Sequence, residues 1–358
     1  MYPRLNIHLE RITENSRLIG RMCKKQGISL FGVTKVTCAD HDVARAMIRG
    51  GVERLADSRM QNIISLRERF PSTELLLLRL PMRHEIPDIV KNCDYVLVSE
   101  LSTIQLLESE CETQSESVGI ILMLDLGDLR EGIWPDSLSE YTDTLSSLQY
   151  AYVAGTGVNL ACYGGVIPTI EKMKDLINYH HQLETATGRK LDIISGGNSA
   201  SLPLVLNSSI PKQINMLRVG EAILLGRNVI DRSPWPGTRQ DTFTFQAEIV
   251  ELIDKPSVPQ GEIGQDAFGN TPEYEDIGVH HRAILAAGRQ DVSPDDLIPC
   301  GDYRILGGSS DHIIVDVENI RGQISVGETL EFMLTYGGLL SASTSPYVYK
   351  NHIQQTQS

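Results

Sequence analysis

A lysine closes a run that otherwise has no use for charge. Ile28 to Val36 is short, apolar and rich in β-branched residues, bounded by Gly27 and Thr37, and predicts a buried strand with Lys35 at its end. On a strand covered on both faces an ammonium cannot snorkel far, and burial lowers its pKa. A neutral amine at the mouth of such a strand is what Schiff-base chemistry needs. The plain alternative is a lysine that ends the strand and points into solvent, and these residues alone favour it.

Two glycine-rich segments and one arginine widen the picture. Ser195-Gly-Gly-Asn-Ser-Ala-Ser follows a strand-like run, and its glycines and hydroxyls suit an anion approached by backbone amides. Arg218-Val-Gly-Glu221 follows the next run with a second glycine turn. Arg130, in Leu124-Asp-Leu-Gly-Asp-Leu-Arg-Glu-Gly132, lies just past a strand end, where it either reaches an anionic oxygen or pairs with Asp125, Asp128 or Glu131. Asn159 lies just past another, in Gly157-Val-Asn-Leu-Ala-Cys-Tyr163.

The elements that must position these residues alternate. Strand-like runs begin near residues 28, 53, 75, 95, 119, 151, 191 and 216, with helix-like stretches between them, including Thr169 to Thr187 closed by Gly188. Eight such strands over roughly 220 residues match a closed (β/α)8 barrel, a TIM-type α/β fold, with its site at the C-terminal strand ends. A phosphate often binds that fold after strands seven and eight, where the two glycine-rich loops stand. Past Asn228 the texture changes. Asp231 to Thr238 reads as a linker, and the runs near 243, 282, 312 and 329 read as strands without a helix of comparable length. The expected division is a barrel over 1–230, a linker over 231–241 and a C-terminal β domain over 242–358. The stretch from Lys255 to Asp276 is a long Pro- and Gly-rich loop, and the tail after Lys350 is polar.

Composition narrows the partners. A net charge of −14 over 358 residues argues against nucleic acid or an acidic membrane surface and for a small molecule. The 41% hydrophobic content is enough for a large core, yet no run approaches the ~18 apolar residues of a membrane span. Six scattered cysteines form no C-x-x-C pair, so neither a disulfide framework nor a zinc site is expected, and a cytoplasmic protein is.

Read in order, these motifs resemble the fold-type III pyridoxal-phosphate enzymes, the alanine racemase superfamily, and most closely its ornithine racemase-like branch. Leu5 to Asn15 is similar to the opening strand and helix, Gly32-Val-Thr-Lys35 to the Schiff-base lysine strand, and Leu124 to Gly132 to the arginine segment. Gly196 to Ala200 and Arg218-Val-Gly220 are similar to the cofactor loops, and Gly288 to Asp291 and Gly307 to Asp311 fall where the β-domain motifs stand. The resemblance implies pyridoxal 5'-phosphate held by Lys35 as an aldimine. Ser195, Asn198, Ser199, Gly220, Glu221 and Tyr349 would belong to its binding site, the phosphate falling to Asn198, Ser199, Gly220 and the Glu221 amide, with Tyr349 adding a hydroxyl. It also implies Arg218 at the pyridine nitrogen and Arg130 at the phenolic oxygen.

Three positions depart from the pattern. Asn159 stands where alanine racemases place a histidine against the ring, and Met123 where some carry a carbamylated lysine. Arg289 falls where the tyrosine that serves as second base is expected, which leaves Asp311, Cys300, His281 and Tyr274 as candidates for that role. Losing the tyrosine makes room for a longer substrate, and the acidic loop residues Glu262, Asp266, Glu273, Glu275 and Asp276 are candidates to meet a distal ammonium. The resemblance therefore implies a racemase acting on ornithine or a similar basic amino acid, as a homodimer whose β domains complete the partner's sites. A basic amino-acid decarboxylase of the same fold and a non-catalytic cofactor carrier are the alternatives.

Overall fold

The structure is a computed structural model, describing residues 1–271 and 273–354. It divides into two compact units. The first strand, β1 (Arg4–His8), belongs with the C-terminal part of the chain. Leu9–Gln240 forms the other unit, in which β2 (Ser29–Val33), β3 (Arg54–Asp57), β4 (Glu74–Leu77), β5 (Tyr95–Val98), β6 (Gly119–Leu124), β7 (Tyr152–Val158), β8 (Ile193–Ser195) and β9 (Met216–Val219) close into a parallel barrel. Closure comes from β9 pairing back on β2, with Phe31 opposite Arg218 and Gly32 opposite Val219.

These eight strands are the eight expected runs. Their inward side chains, among them Phe31, Val33, Leu76, Leu97, Ile121, Met123 and Met216, fill the barrel, so it is a packed core and not a pore. Gly155 is required by that packing: a Cβ there would lie 1.9 Å from the Ile193 carbonyl oxygen on the next strand. Helices such as Leu9–Lys25 and His41–Arg49 cover the outside with buried apolar faces, the second capped by the Asp40 carboxylate.

The other unit is an antiparallel sheet ordered β12 (Leu297–Pro299), β15 (Thr329–Leu334), β10 (Phe243–Pro256), β11 (Val279–Leu285), β14 (Ile313–Asp316) and β13 (Arg304–Gly308). β1 pairs antiparallel with β10 and parallel with β16 (Tyr349–Ile353), and Leu5, Ile7, Phe243, Phe245 and Phe332 are fully or almost fully buried.

The division differs from expectation in three ways. Residues 1–8 leave the barrel, because Arg4 to Ile7 find their ladder partners at Gln246 to Phe243. Most of the expected linker stays with the barrel unit, where Trp235 is buried and its N–H, like the Thr238 hydroxyl, donates to the Gly226 carbonyl. Finally, the β unit contains the helix Tyr336–Thr344, capped by the Thr335 hydroxyl. Its two glycines mask it in the sequence, yet Gly338 is needed, since a Cβ would sit 2.7 Å from the Asp296 carbonyl oxygen. The polar tail is strand as far as Ile353, and its last four residues lie outside the described residues, as does Pro272 in the long loop.

Candidate active site

Lys35 opens the short 3-10 turn Lys35–Thr37 directly after β2, at the C-terminal mouth of the barrel. Among the described residues no hydrogen bond or ion pair reaches its side chain. Its tip is open to solvent, but protein packed around it strips most of its hydration. That desolvation lowers the amine's pKa from the ordinary 10.5, the Arg130 guanidinium adds to the effect, and Cys162, Asp57 and Glu131 oppose it. The amine is thus biased toward its nucleophilic form.

Arg130 sits on a loop stapled at its base, where Asp125 N–H donates to the Ile133 carbonyl and Ile133 N–H to that of Met123. Gly132 allows the closure: its φ is +133°, and a Cβ would lie 2.4 Å from the Asp125 nitrogen. The guanidinium pairs with Glu131 through two nitrogens and donates to Cys162 Sγ at 3.0 Å through the third. Of the alternatives open in the sequence, pairing with Glu131 is the observed one. The other two carboxylates build the loops instead. Asp125 accepts from the N–H groups of Gly127 and Leu129, and buried Asp128 accepts from those of Cys162, Tyr163 and Val166. Asp128 therefore carries Cys162 to Arg130, a juxtaposition that spacing alone does not reveal.

Arg218, on β9, is buried, and its guanidinium donates to Ser195 Oγ and, at 2.8 Å, to the Val158 carbonyl. Desolvation pushes its pKa down to about 10, which leaves it charged at neutral pH. Ser195 ends β8. Asn198 caps the turn Ser199–Ser201 by accepting from Ala200 N–H, and its amide donates to Asn159 Oδ1 at 3.0 Å and the Leu160 carbonyl at 2.8 Å. The side chains of Asn159 and Asn198 thus tie two loops together. Ser199 is buried, and its hydroxyl is met by the Ala222 N–H at a long 3.4 Å. Gly220 precedes the turn of helix Glu221–Leu224, packed so close that a Cβ would meet Val33 Cβ at 3.1 Å, while the Glu221 carboxylate pairs with Arg232. Ser201 N–H donates to the Asn198 carbonyl and Ile223 N–H to that of Gly220, and among the described residues the first N–H of each turn, Ser199 and Glu221, has no acceptor.

The barrel thus gathers Lys35, Arg130, Asn159, Ser195, Asn198, Ser199, Arg218, Gly220 and Glu221 at its C-terminal strand ends. Asp311 and Tyr349 belong to the β unit. Asp311 is exposed and accepts from Gln290 and Ser310, and Tyr349 is the exposed first residue of β16. Arg289 stacks on Phe268 and donates to Ser293 Oγ. His281 is paired with Asp254, and Asp266 is spent on the N–H groups of Phe268 and Asn270. Cys162 and Asp57 are the mouth residues not expected from the sequence.

The donor set fits a phosphorylated aldehyde: an amine without a partner, a hydroxyl and first-turn amides for the phosphate, and arginines for its oxygen and ring nitrogen. Residues 7–228 match the family model described as alanine racemase, N-terminal domain. The chain is 41% identical to an ornithine racemase of Acetoanaerobium sticklandii, covering 98% of this chain and 99% of that one. It is 39% identical to a lysine racemase of Thermotoga maritima, covering 98% of each. The crystal structure of an alanine racemase from Bartonella henselae with covalently bound pyridoxal phosphate superposes with a TM-score of 0.75 at 15% identity, covering 98% of this chain and 99% of that one. The chain belongs to the alanine racemase family.

Proposed function

We propose that this protein is a pyridoxal-phosphate-dependent racemase that interconverts the L and D forms of a basic amino acid, ornithine or lysine. It is an enzyme, an isomerase of the amino-acid racemase class. The observation that carries the reading is the Lys35 amine at the barrel mouth, which among the described residues has no hydrogen bond or ion pair and whose pKa burial and Arg130 lower, in a chain whose full-length relatives are an ornithine racemase and a lysine racemase.

The cofactor, when bound, supplies an electron sink that makes the α-proton of an amino acid removable. Lys35 holds it and moves a proton on one face of Cα. Ser199 and the amides at Gly220 and Glu221 hold its phosphate, as the two glycine-bearing turns support, while Ser195 and Asn198 shape that pocket. Arg218 faces the ring nitrogen. Its guanidinium, held by Ser195 and the Val158 carbonyl, is an obligate donor, so it would present a hydrogen bond to that nitrogen and would not hand over a proton. Arg130 takes the phenolic oxygen, with Glu131 in place of a carbamate as its anchor. The second face is served from a β domain bearing Asp311 and Tyr349, contributed by the partner of a homodimer. Among the described residues no helix is long and apolar enough to cross a membrane. None of the six cysteines forms a disulfide among the described residues, which supports a cytoplasmic setting.

The test is α-proton exchange in heavy water, followed by proton NMR, for ornithine, lysine and alanine with added pyridoxal phosphate. Exchange with racemisation of ornithine or lysine, and none of alanine, is the expected outcome. Exchange of alanine alone would overturn the substrate assignment, and exchange of none of the three would overturn the activity.

A further inference from the structure

Asp57 is a carboxylate with no exposed surface, at the end of the strand next to the one carrying Lys35. Its Oδ2 accepts from the Thr34 hydroxyl at 2.7 Å, and its Oδ1 from the N–H groups of Ser58 at 2.7 Å and Arg59 at 3.1 Å and from the Asn62 amide at 2.9 Å. Among the described residues no ion pair reaches it. A buried charge without a counter-ion is costly unless every lone pair is satisfied, and here four donors do so.

Those contacts favour the charged form against the cost of burial. Three of the four partners are N–H groups that can only donate, so a proton on the carboxyl would have nowhere to go on Oδ1. Burial raises the pKa of Asp57, and the bonds from Thr34, Asn62, Arg59 and Ser58 oppose the rise. Thr34 is the residue before Lys35, and its backbone is held as well. Its N–H donates to the Ala56 carbonyl at 3.0 Å, and its own carbonyl accepts from Thr37 N–H and, at 3.4 Å, from Ala39 N–H. The turn after Lys35 is strained, with Cys38 and Ala39 at φ of 52° and 56°. A single anchor therefore meets the chain directly before the reactive residue.

We propose that Asp57 is the positioning residue of Lys35: through Thr34 its buried carboxylate fixes the strand end that carries the amine, and it keeps one negative charge on the neighbouring strand end. The proposal deepens the functional reading and rests on it only in taking Lys35 as the reactive amine. The plain alternative is a local cap for the helix Met60–Arg69, which would need the hydrogen bonds but not the charge. The groups that act on Lys35 are Arg130, Cys162, Asp57 and Glu131, and of these Asp57 is the one with no exposed surface.

The experiment reads Lys35 directly, without cofactor or turnover. Full-length cofactor-free protein is labelled with trace acetic anhydride across pH 6 to 11, and acetylation of the Lys35 peptide is followed by mass spectrometry. Wild type is compared with Asp57→Asn and Asp57→Glu. The asparagine is isosteric and can keep its contacts, because the Thr34 hydroxyl already lies 3.3 Å from the Ala56 carbonyl and can turn its hydrogen there. Removing the negative charge lowers the midpoint for Lys35 by about half a pH unit or more, while Asp57→Glu stays near wild type. Should the asparagine variant not fold, Asp57→Ser removes the same charge with room for water and is expected to give the same shift. An unmoved midpoint in a folded, charge-free variant, whatever its thermal stability, would leave only the cap and overturn the proposal. Because no pyridoxal phosphate is present, that failure is separate from failure of the racemase reading.

Discussion

The two ends of the barrel are built from the same residue types to opposite effect. At the N-terminal end a cavity of about 730 Å3 is lined by Arg54, Tyr95, Tyr152, Arg189, Asp192 and Asn215, among others. Much of that lining is already engaged: Arg54 pairs with Glu74 and lies over the Phe31 ring, and Tyr95 donates to Glu74 at 3.1 Å. Arg189 donates to the carbonyls of Ser146 and Leu148, and the Asn215 amide to that of Asp192. At the C-terminal mouth, among the described residues, Lys35 has no hydrogen bond or ion pair and the buried Arg218 meets a hydroxyl and a carbonyl. Charge that is paired holds a strand end in place; charge left without an anion is available to a ligand. The end with this cavity is therefore the structural one, and the mouth is the chemical one.

The hardest way to break this contrast is to remove the unpaired amine. Lys35→Met is expected to lower racemisation by about 10⁴-fold, measured by chiral chromatography of ornithine, and to abolish reducible attachment of pyridoxal phosphate. The same substitution should stabilise the cofactor-free protein. The folded pKa of Lys35 lies below 10.5, so between that value and 10.5 the unfolded chain binds more protons and stability rises with pH. Below that window the burial penalty is fully present. The variant's advantage in urea midpoint should therefore be largest near neutral pH and fade toward pH 10.5. An advantage that grows with pH would contradict the direction of the shift.

A matched pair of substitutions sharpens the comparison, since each end has a glutamate paired with an arginine. Glu131→Gln frees Arg130 at the mouth. The lost pair is charge-assisted and made through two nitrogens, so kcat/KM is expected to fall by about tenfold, or ~1.4 kcal/mol. Global stability should change little, because the arginine is partly exposed. A normal kcat/KM would mean that Arg130 needs no anchor.

What the sequence made legible follows from distance along the chain. Each barrel strand is a local apolar run, and each glycine turn stands directly at its end, so the eight strands and the loops at Ser195 and Arg218 could be read residue by residue. Partners distant in sequence could not. β1 looked like a barrel element because nothing local says that Arg4 to Ile7 pair with Phe243 to Gln246. Cys162 reaches Arg130 only because Asp128 folds one loop onto the next. Asp57 carries no signal in the sequence, since its value lies in four donors, of which only three are near neighbours. The helix Tyr336–Thr344 was hidden by glycines that serve packing against Asp296.

Glu74→Gln is the other half of the pair and carries the smallest expected effect. Glutamine keeps an acceptor for the Tyr95 hydroxyl and loses only the charge opposite Arg54. Both side chains are about one-third exposed, at 29% and 38%, so solvent screens the pair. The loss of stability should stay within about 1 kcal/mol. Racemisation should remain within about twofold of wild type, because the strand ends that carry the chemistry lie at the far end of a packed core. Thermal unfolding and kcat/KM measured together decide the point. A small stability loss with intact turnover confirms that the paired end supports the barrel without touching the reaction. A loss of turnover of about tenfold would mean that the barrel core transmits strain from one end to the other, and that the two ends are not independent.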